Sequence, residues 1–319
     1  MRLLVIFSLT LTLMFSVFKA SASNMIVAHE LPQEHPVSAS LDWFAAEVKK
    51  RAGMDVKMYP GGELGNETAL LKMVQQGDVA ITKVGASLLT NYSDDYKVLA
   101  LPYLFKDRAQ YDKVLQGSIG TKILESTKSV GFVGLAFLDA GSRSFYTDKP
   151  IKTPADLKGL KIRVQNSSLP MDMMNALGAI PVPIAYSELY SALQIGLVNG
   201  AENNIPSFFS SKHYEVKKHY SYDRHTMVPD VLVVSTSAWN RFTDQERQVL
   251  TQVAAETVKV QEQNWKNYVD QAIGKLKQAG VTFTDSDIPA FQKAVQPVYD
   301  KFKKENPGLI GLLNEIQQQ

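Results

Sequence analysis

His29-Glu30 is the dipeptide that begins a zinc-protease helix, where two histidines four residues apart hold the metal and the glutamate acts as base. Here the residue four places after His29 is Gln33 and Pro32 interrupts any helix, so the ligand pair is missing. Five histidines and no cysteine, with no dense spacing among His29, His35, His213, His219 and His225, leave little material for a structural metal site. No Gly-x-Ser-x-Gly elbow, P-loop or Gly-x-Gly-x-x-Gly loop occurs, which moves the expectation from catalysis toward binding. Three polar positions stand out instead. In Lys161-Ile162-Arg163-Val164-Gln165, period-2 alternation sends Ile162 and Val164 to one face and leaves Arg163 between Lys161 and Gln165 on the other, a ligand-facing position or a solvated edge. Arg143, in Gly141-Ser142-Arg143-Ser144-Phe145-Tyr146, is a second candidate, with a simple turn arginine as the alternative. Asn203-Asn204 end a strand-like run, where α/β sheets hold ligands, although adjacent asparagines also occur in turns.

The elements that must position these residues alternate in type. Met25 to Ala28 reads as a strand, Leu41 to Arg51 as a helix with Leu41, Phe44, Ala45 and Val48 at helical spacing, and Asp55 to Tyr59 as a strand closed by Pro60-Gly61-Gly62. A helix from about Thr68 to Gln75 ends at Gly77 and leads into a strand at Val79-Ala80-Ile81. Later, Thr153-Pro154-Ala155-Asp156 opens a short helix, Leu160 to Gln165 is a strand, Glu188 to Ile195 a helix, and Gly196 to Glu202 extended. Strands interleaved with helices imply a parallel-type sheet with helices on its faces. Two such runs, separated near Asp139 to Lys149, indicate two lobes. Thr243-Asp244-Gln245-Glu246 is a capping box, followed by helical character to Gly280, roughly 54 Å at 1.5 Å per residue. Such a helix is either a coiled-coil arm or one lying across both lobes, and the lack of a strict heptad favours the second.

Composition bounds the function class. With 319 residues and 45% hydrophobic content the chain has material for about two domains. Met1-Arg2, an uncharged run from Leu3 to Phe18, Lys19 and Ala20-Ser21-Ala22 form a secretory signal peptide over residues 1–22, cleaved after Ala22. The run is short of the ~20 residues of a membrane-spanning helix. Of 34 Lys+Arg, cleavage removes Arg2 and Lys19 and no acid, leaving 32 basic against 32 acidic residues. A neutral mature chain argues against nucleic-acid binding through an overall field, and the exported protein is expected to be soluble.

The runs Gly141-Ser142-Arg143-Ser144-Phe145-Tyr146, Lys149-Pro150-Ile151-Lys152-Thr153-Pro154-Ala155-Asp156-Leu157-Lys158-Gly159-Leu160-Lys161-Ile162-Arg163-Val164-Gln165 and Gly200-Ala201-Glu202-Asn203-Asn204 resemble the DctP-type solute receptors of tripartite ATP-independent periplasmic (TRAP) transporters. The resemblance covers essentially the whole mature chain. It implies an α/β, two-lobed periplasmic-binding-protein fold, each lobe a mixed sheet flanked by helices, with the long helix spanning both. Lobe I would be residues 23–140 and about 229–268, and lobe II residues 141–228 and about 269–319. It further implies a monomeric periplasmic receptor without cofactor or metal, which hands an organic acid to the small and large permease subunits. By matching position Arg163 clamps the ligand carboxylate, assisted by Arg143 and Asn203. The runs around Arg143, Asn203 and His225-Thr226-Met227-Val228-Pro229-Asp230 look most like the branch that takes hexuronates such as D-glucuronate and D-galacturonate. His29, Glu67, Lys83, Gln165 and His225 match positions for the sugar hydroxyls. Lys83 stands where members often carry arginine, and Ile205 where they often carry an aromatic residue. The alternatives are the same role for a C4-dicarboxylate, aldonate or sialic acid, or a secreted uronate-acting enzyme. For the latter Glu67 and His225 could serve as acid and base, though nothing in their spacing pairs them.

Overall fold

The structure, a computed structural model, describes residues 24–319. The signal peptide expected over residues 1–22, with its cleavage site, lies outside the described residues. Eleven strands are present among the described residues: β1 (Asn24–Ala28), β2 (Asp55–Tyr59), β3 (Ile81–Gly85), β4 (Phe132–Leu138), β5 (Arg143–Thr147), β6 (Lys161–Val164), β7 (Ile180–Pro183), β8 (Gly200–Asn203), β9 (His219–Thr226), β10 (Asp230–Ser235) and β11 (Thr282–Asp285). They form two mixed sheets, ordered β2-β1-β3-β10-β4 and β11-β9-β5-β8-β6-β7. In the first, β1, β2 and β3 run parallel while β10 is antiparallel to β3 and β4. In the second, β8, β6 and β7 run parallel and β5 is antiparallel to β8 and β9.

Local chemistry sets the element ends, and some differ from the periodicity. The first helix begins at Pro36 rather than Leu41, because the His35 ring accepts from the Val37 amide and proline occupies the first helical position. The helix Glu67–Gln76 is capped by the Asn66 side chain and closed by Gly77 at φ 84°. The amides of Asp78 and Val79 bond back to the Met73 carbonyl, so the next strand starts at Ile81 instead of Val79. In the same way Leu197 closes the helix Leu189–Gln194 by bonding to the Ala192 carbonyl, and β8 begins only at Gly200. The stretch between the two runs is not a loop throughout, since Arg143 to Thr147 is a buried strand.

The chain passes between the sheets three times among the described residues: from β4 to β5, from β9 to β10, and along the helix Asp244–Gln278, whose capping box of Thr243 and Glu246 is formed. At 35 residues that helix is ~52 Å long. Leu250, Val253, Ala254 and Trp265 join the core against the first sheet, whereas Ala272 and Leu276 join the core against the second. Fully burying an aliphatic or aromatic side chain is worth ~1.5–3 kcal/mol, so both ends of the helix are anchored. A polar seam holds its middle: Gln261 bonds Ser40 and the Asp139 carbonyl at the end of β4. The C-terminal helices bond to parts of both runs, Tyr299 to the Pro102 carbonyl and Lys301 to Asp172.

Candidate functional site

A cleft of about 750 Å³, counting space open at its mouth, lies between the two sheets. Its walls come from the C-terminal ends of parallel strands: Glu30 follows β1, Lys83 and Gly85 end β3, and Arg163 and Gln165 lie at the end of β6. That is where open α/β sheets hold ligands, because the loops there diverge and leave backbone and side chains uncovered.

Arg163 is 3% exposed and is fixed by packing. Ile162 and Val164 sink into the core on one face of β6, which drives Arg163 to the other. Its Nε donates to the Ile184 carbonyl at 2.8 Å, and its guanidinium lies 5.8 Å from the centre of the Tyr186 ring. Among the described residues its two terminal nitrogens have no hydrogen-bond partner and it forms no ion pair, yet it lines the cleft. Burial and the nearby Arg143 charge lower its pKa from the ordinary arginine value, the signature of a cation short of counter-charge.

Arg143, in contrast, is already engaged. Its Nε and Nη2 grip both carboxylate oxygens of Glu202, Nη2 also reaches the Glu202 carbonyl at 2.8 Å, and Nη1 donates to the Asn203 side-chain oxygen at 2.9 Å. Behind Glu202 stands His225, fully buried, with Nε2 3.2 Å from Glu202 and Nδ1 2.8 Å from Asp223. Burial opposes the imidazolium, but the Asp223 and Glu202 carboxylates outweigh it and raise the His225 pKa to about 9. Burial likewise opposes the Glu202 carboxylate, and Arg143 with His225 outweighs it and lowers that pKa to about 2. The result is a chain of alternating charge, Asp223, His225, Glu202, Arg143, which aims Arg143 at the cleft.

Across the cleft, Lys83 is buried in β3 and bonds both Glu67 and Asp230 at 3.0 Å. Burial opposes its charge and the two carboxylates, Asp230 first, raise its pKa above the ordinary value. Glu67 also accepts from the Gly85 amide, and the Glu67 amide donates to Glu30 at 3.2 Å. Neutral contacts join the walls: His35 to Ser207 at 3.3 Å, Thr90 to Ser167 at 2.9 Å, and Asn91 to the Asn166 carbonyl at 3.0 Å.

A buried cation with free donors, set among paired charges, can receive an anion. Residues 27–306 match the family described as DctP, bacterial extracellular solute-binding protein, family 7. The chain belongs to that family. A TRAP periplasmic solute binding protein from Anaerococcus prevotii with bound alpha/beta D-glucuronate is 37% identical at TM-score 0.90, covering 93% of this chain and 97% of that one. Another from a Sulfitobacter species with bound β-D-galacturonate is 29% identical, also at TM-score 0.90, covering 93% and 100%. Among curated relatives, the uncharacterized protein YiiZ of Salmonella typhimurium is 35% identical over 287 residues, 88% of each chain. The two mixed sheets flanked by helices are the fold of this family of solute receptors.

In this family 7 chain the structure brings together six of the eight residues expected at the site: Arg163, Arg143, Asn203, Glu67, Lys83 and Gln165 all line the cleft. His29 and His225 do not. His29 is buried beside β2, its amide bonded to the Tyr59 carbonyl, and burial lowers its ring pKa to about 4. His225 sits one layer behind the wall, against Glu202. Sequence reasoning missed Glu30, Asp230 and Tyr186 as lining residues. Glu30 follows the strand read at Met25 to Ala28, so the strand-end rule that singled out Asn203 points to it as well.

Proposed function

We propose that this protein is the periplasmic receptor of a TRAP transporter, capturing a hexuronate such as D-glucuronate or D-galacturonate and delivering it to the small and large permease subunits as a monomer. The observation that carries this reading is Arg163, a buried guanidinium facing the cleft with its terminal donors unpaired among the described residues. A ligand carboxylate completes that fork, and a neutral sugar leaves it uncompensated, which selects acids. Lys83, Glu67, Asp230, Gln165 and Asn203 supply donors and acceptors for ring hydroxyls. The reading assigns lobe I to residues 23–140 and about 229–268, and lobe II to residues 141–228 and about 269–319, closing as a hinge around the ligand. It has the protein bind its solute without turnover.

A melting screen of D-glucuronate, D-galacturonate, aldonates, sialic acid and C4-dicarboxylates tests it. A ligand at ~100 times its dissociation constant adds about 2.7 kcal/mol, a shift of several degrees. Each charge-assisted hydrogen bond contributes ~1.5–3 kcal/mol, so Arg163→Ala, losing two, should weaken uronate binding a hundredfold or more. No shift with any acid, or full affinity in the variant, would overturn the reading.

A further inference from the structure

We infer that capture of the acid brings a proton into the cleft and that Glu30 is the group that holds it. The inference rests on the receptor reading above and adds a second, ionic ligand to it. Glu30 is 8% exposed and lines the same cleft as Arg163. One of its oxygens accepts from the Glu67 amide at 3.2 Å, and among the described residues it forms no ion pair.

The distribution of charge around it forces the question. Lys83 is the one cation bonded to the two carboxyl groups of Glu67 and Asp230, so that triad has no cation to spare for Glu30. Arg143 is matched by Glu202, and His225 by Asp223. Arg163 is the remaining cation of the cleft wall and Glu30 the remaining anion. When a ligand carboxylate occupies the Arg163 fork it offsets the Arg163 charge that faces Glu30, and Glu30 then shares its buried site with Glu67 and the added carboxylate. Burial and added negative charge both favour the protonated form of a carboxyl group, so a carboxylate entering the same cleft raises the proton affinity of Glu30. The ligand carboxylate is held by a bidentate arginine and keeps its charge, so the proton comes from solvent to Glu30, whose hydroxyl can then donate to a ligand oxygen.

The groups facing Glu30 are Glu67 from the helix Glu67–Gln76, Lys83 from β3, Arg163 from β6 and Tyr186 from the turn Tyr186–Glu188. His29 precedes it in the chain and stays neutral at working pH, since its pKa is held at about 4. Burial first and the Glu67 carboxylate second already push the Glu30 pKa up to about 7, so the group is poised to change state near neutrality. The sign follows: an added negative charge raises it further, so affinity is highest where Glu30 is protonated and weakens as pH rises through about 7.

Titration calorimetry of the mature protein with D-glucuronate, in buffers of low and high ionisation enthalpy near pH 7.5, counts the protons. The expected result is uptake of about half a proton or more per ligand, with the dissociation constant rising roughly five- to tenfold from about pH 6 to about pH 8. Glu30→Gln mimics the protonated carboxyl, so it should show uptake near zero and a flat profile over the same range. Infrared difference spectra of the wild type should show a protonated carboxyl band on binding, a readout that does not depend on the variant. Binding heat independent of buffer, or a Glu30→Gln protein that still takes up the proton, overturns the inference and leaves the receptor reading standing. Absence of binding to any acid of the screen removes both.

Discussion

At the scale of single residues, two buried arginines of the cleft wall have different duties. Arg143 has four of its five N–H donors committed to Glu202 and Asn203, whereas Arg163 has one committed, to the Ile184 carbonyl. Arg143 is therefore oriented before any ligand arrives, and the orientation depends on His225 through Glu202. His225 is charged in the folded state up to about pH 9. A histidine whose folded pKa lies above its unfolded value of about 6.5 contributes stability that is complete below that value and is lost as pH rises through the folded one. Urea unfolding should accordingly show wild-type stability falling by up to about 3 kcal/mol between about pH 6.5 and pH 9.5, with His225→Gln less stable at the acid end and nearly flat. Equal slopes in the two proteins would sink that role. Strand alternation singled out Arg163, while Arg143 and Asn203 stood out as candidates beside plainer turn readings and took their expected roles from the resemblance; all three line the cleft. His225, expected at the site by its matching position, stands one layer behind the cleft wall against Glu202, since a matching position does not say whether a polar side chain reaches the cleft or the carboxylate beneath it. Glu30 lies two residues beyond the end of β1 in a bend with no pattern of its own, so the fold rather than a motif brings it to the cleft.

At the scale of elements, the sequence located β1, β2, β3, β6 and β8 and the helices Pro36–Ala52, Glu67–Gln76, Leu189–Gln194 and Asp244–Gln278, erred at several of their ends, and gave no reading of β4, β5, β7, β9, β10 or β11. Val79 and Gly196 were read into strands, yet both lie in segments whose amides turn back to close the preceding helix. Apolar residues that plug the end of a helix look in sequence like the start of a strand. Gly141, between β4 and β5, shows how much one connecting position can constrain. Its φ is 61°, and a Cβ there would stand 3.0 Å from Trp265 Nε1 on the long helix. Gly53 has φ 68° with nothing within 4 Å of the same added atom. The left-handed backbone costs a non-glycine residue ~1–2 kcal/mol at either site, and only Gly141 adds a collision with the crossing element. Thermal melts should thus find both Gly53→Ala and Gly141→Ala destabilised, with Gly141→Ala lower by at least a further few degrees. Matching shifts would mean that Trp265 moves aside freely and that this crossing is not held by the helix.

For the whole molecule, the two-lobed plan and the long connecting helix were visible in the order of elements and in one capped stretch free of glycine and proline up to Gly274. The manner of anion capture follows from charge distribution. The chain without residues 1–22 carries 32 basic and 32 acidic residues, so it presents no net field to draw an acid in from a distance. The charges that matter are buried, and the bonds that join the walls of the cleft, His35 to Ser207, Thr90 to Ser167 and Asn91 to Asn166, are neutral. Salt screens exposed charges beyond a Debye length of ~10 Å at 0.1 M and acts far less on buried pairs. Neither the approach of the ligand nor the contacts between the walls should then respond strongly to ionic strength. Stopped-flow fluorescence with D-glucuronate should give association rates and dissociation constants that each change by less than about twofold between roughly 20 and 200 mM salt at fixed pH. A fall in association rate of tenfold or more would instead require a positive patch near the mouth that steers the acid. Selectivity for acids would in that case begin before contact, and Arg163 would be only its last step.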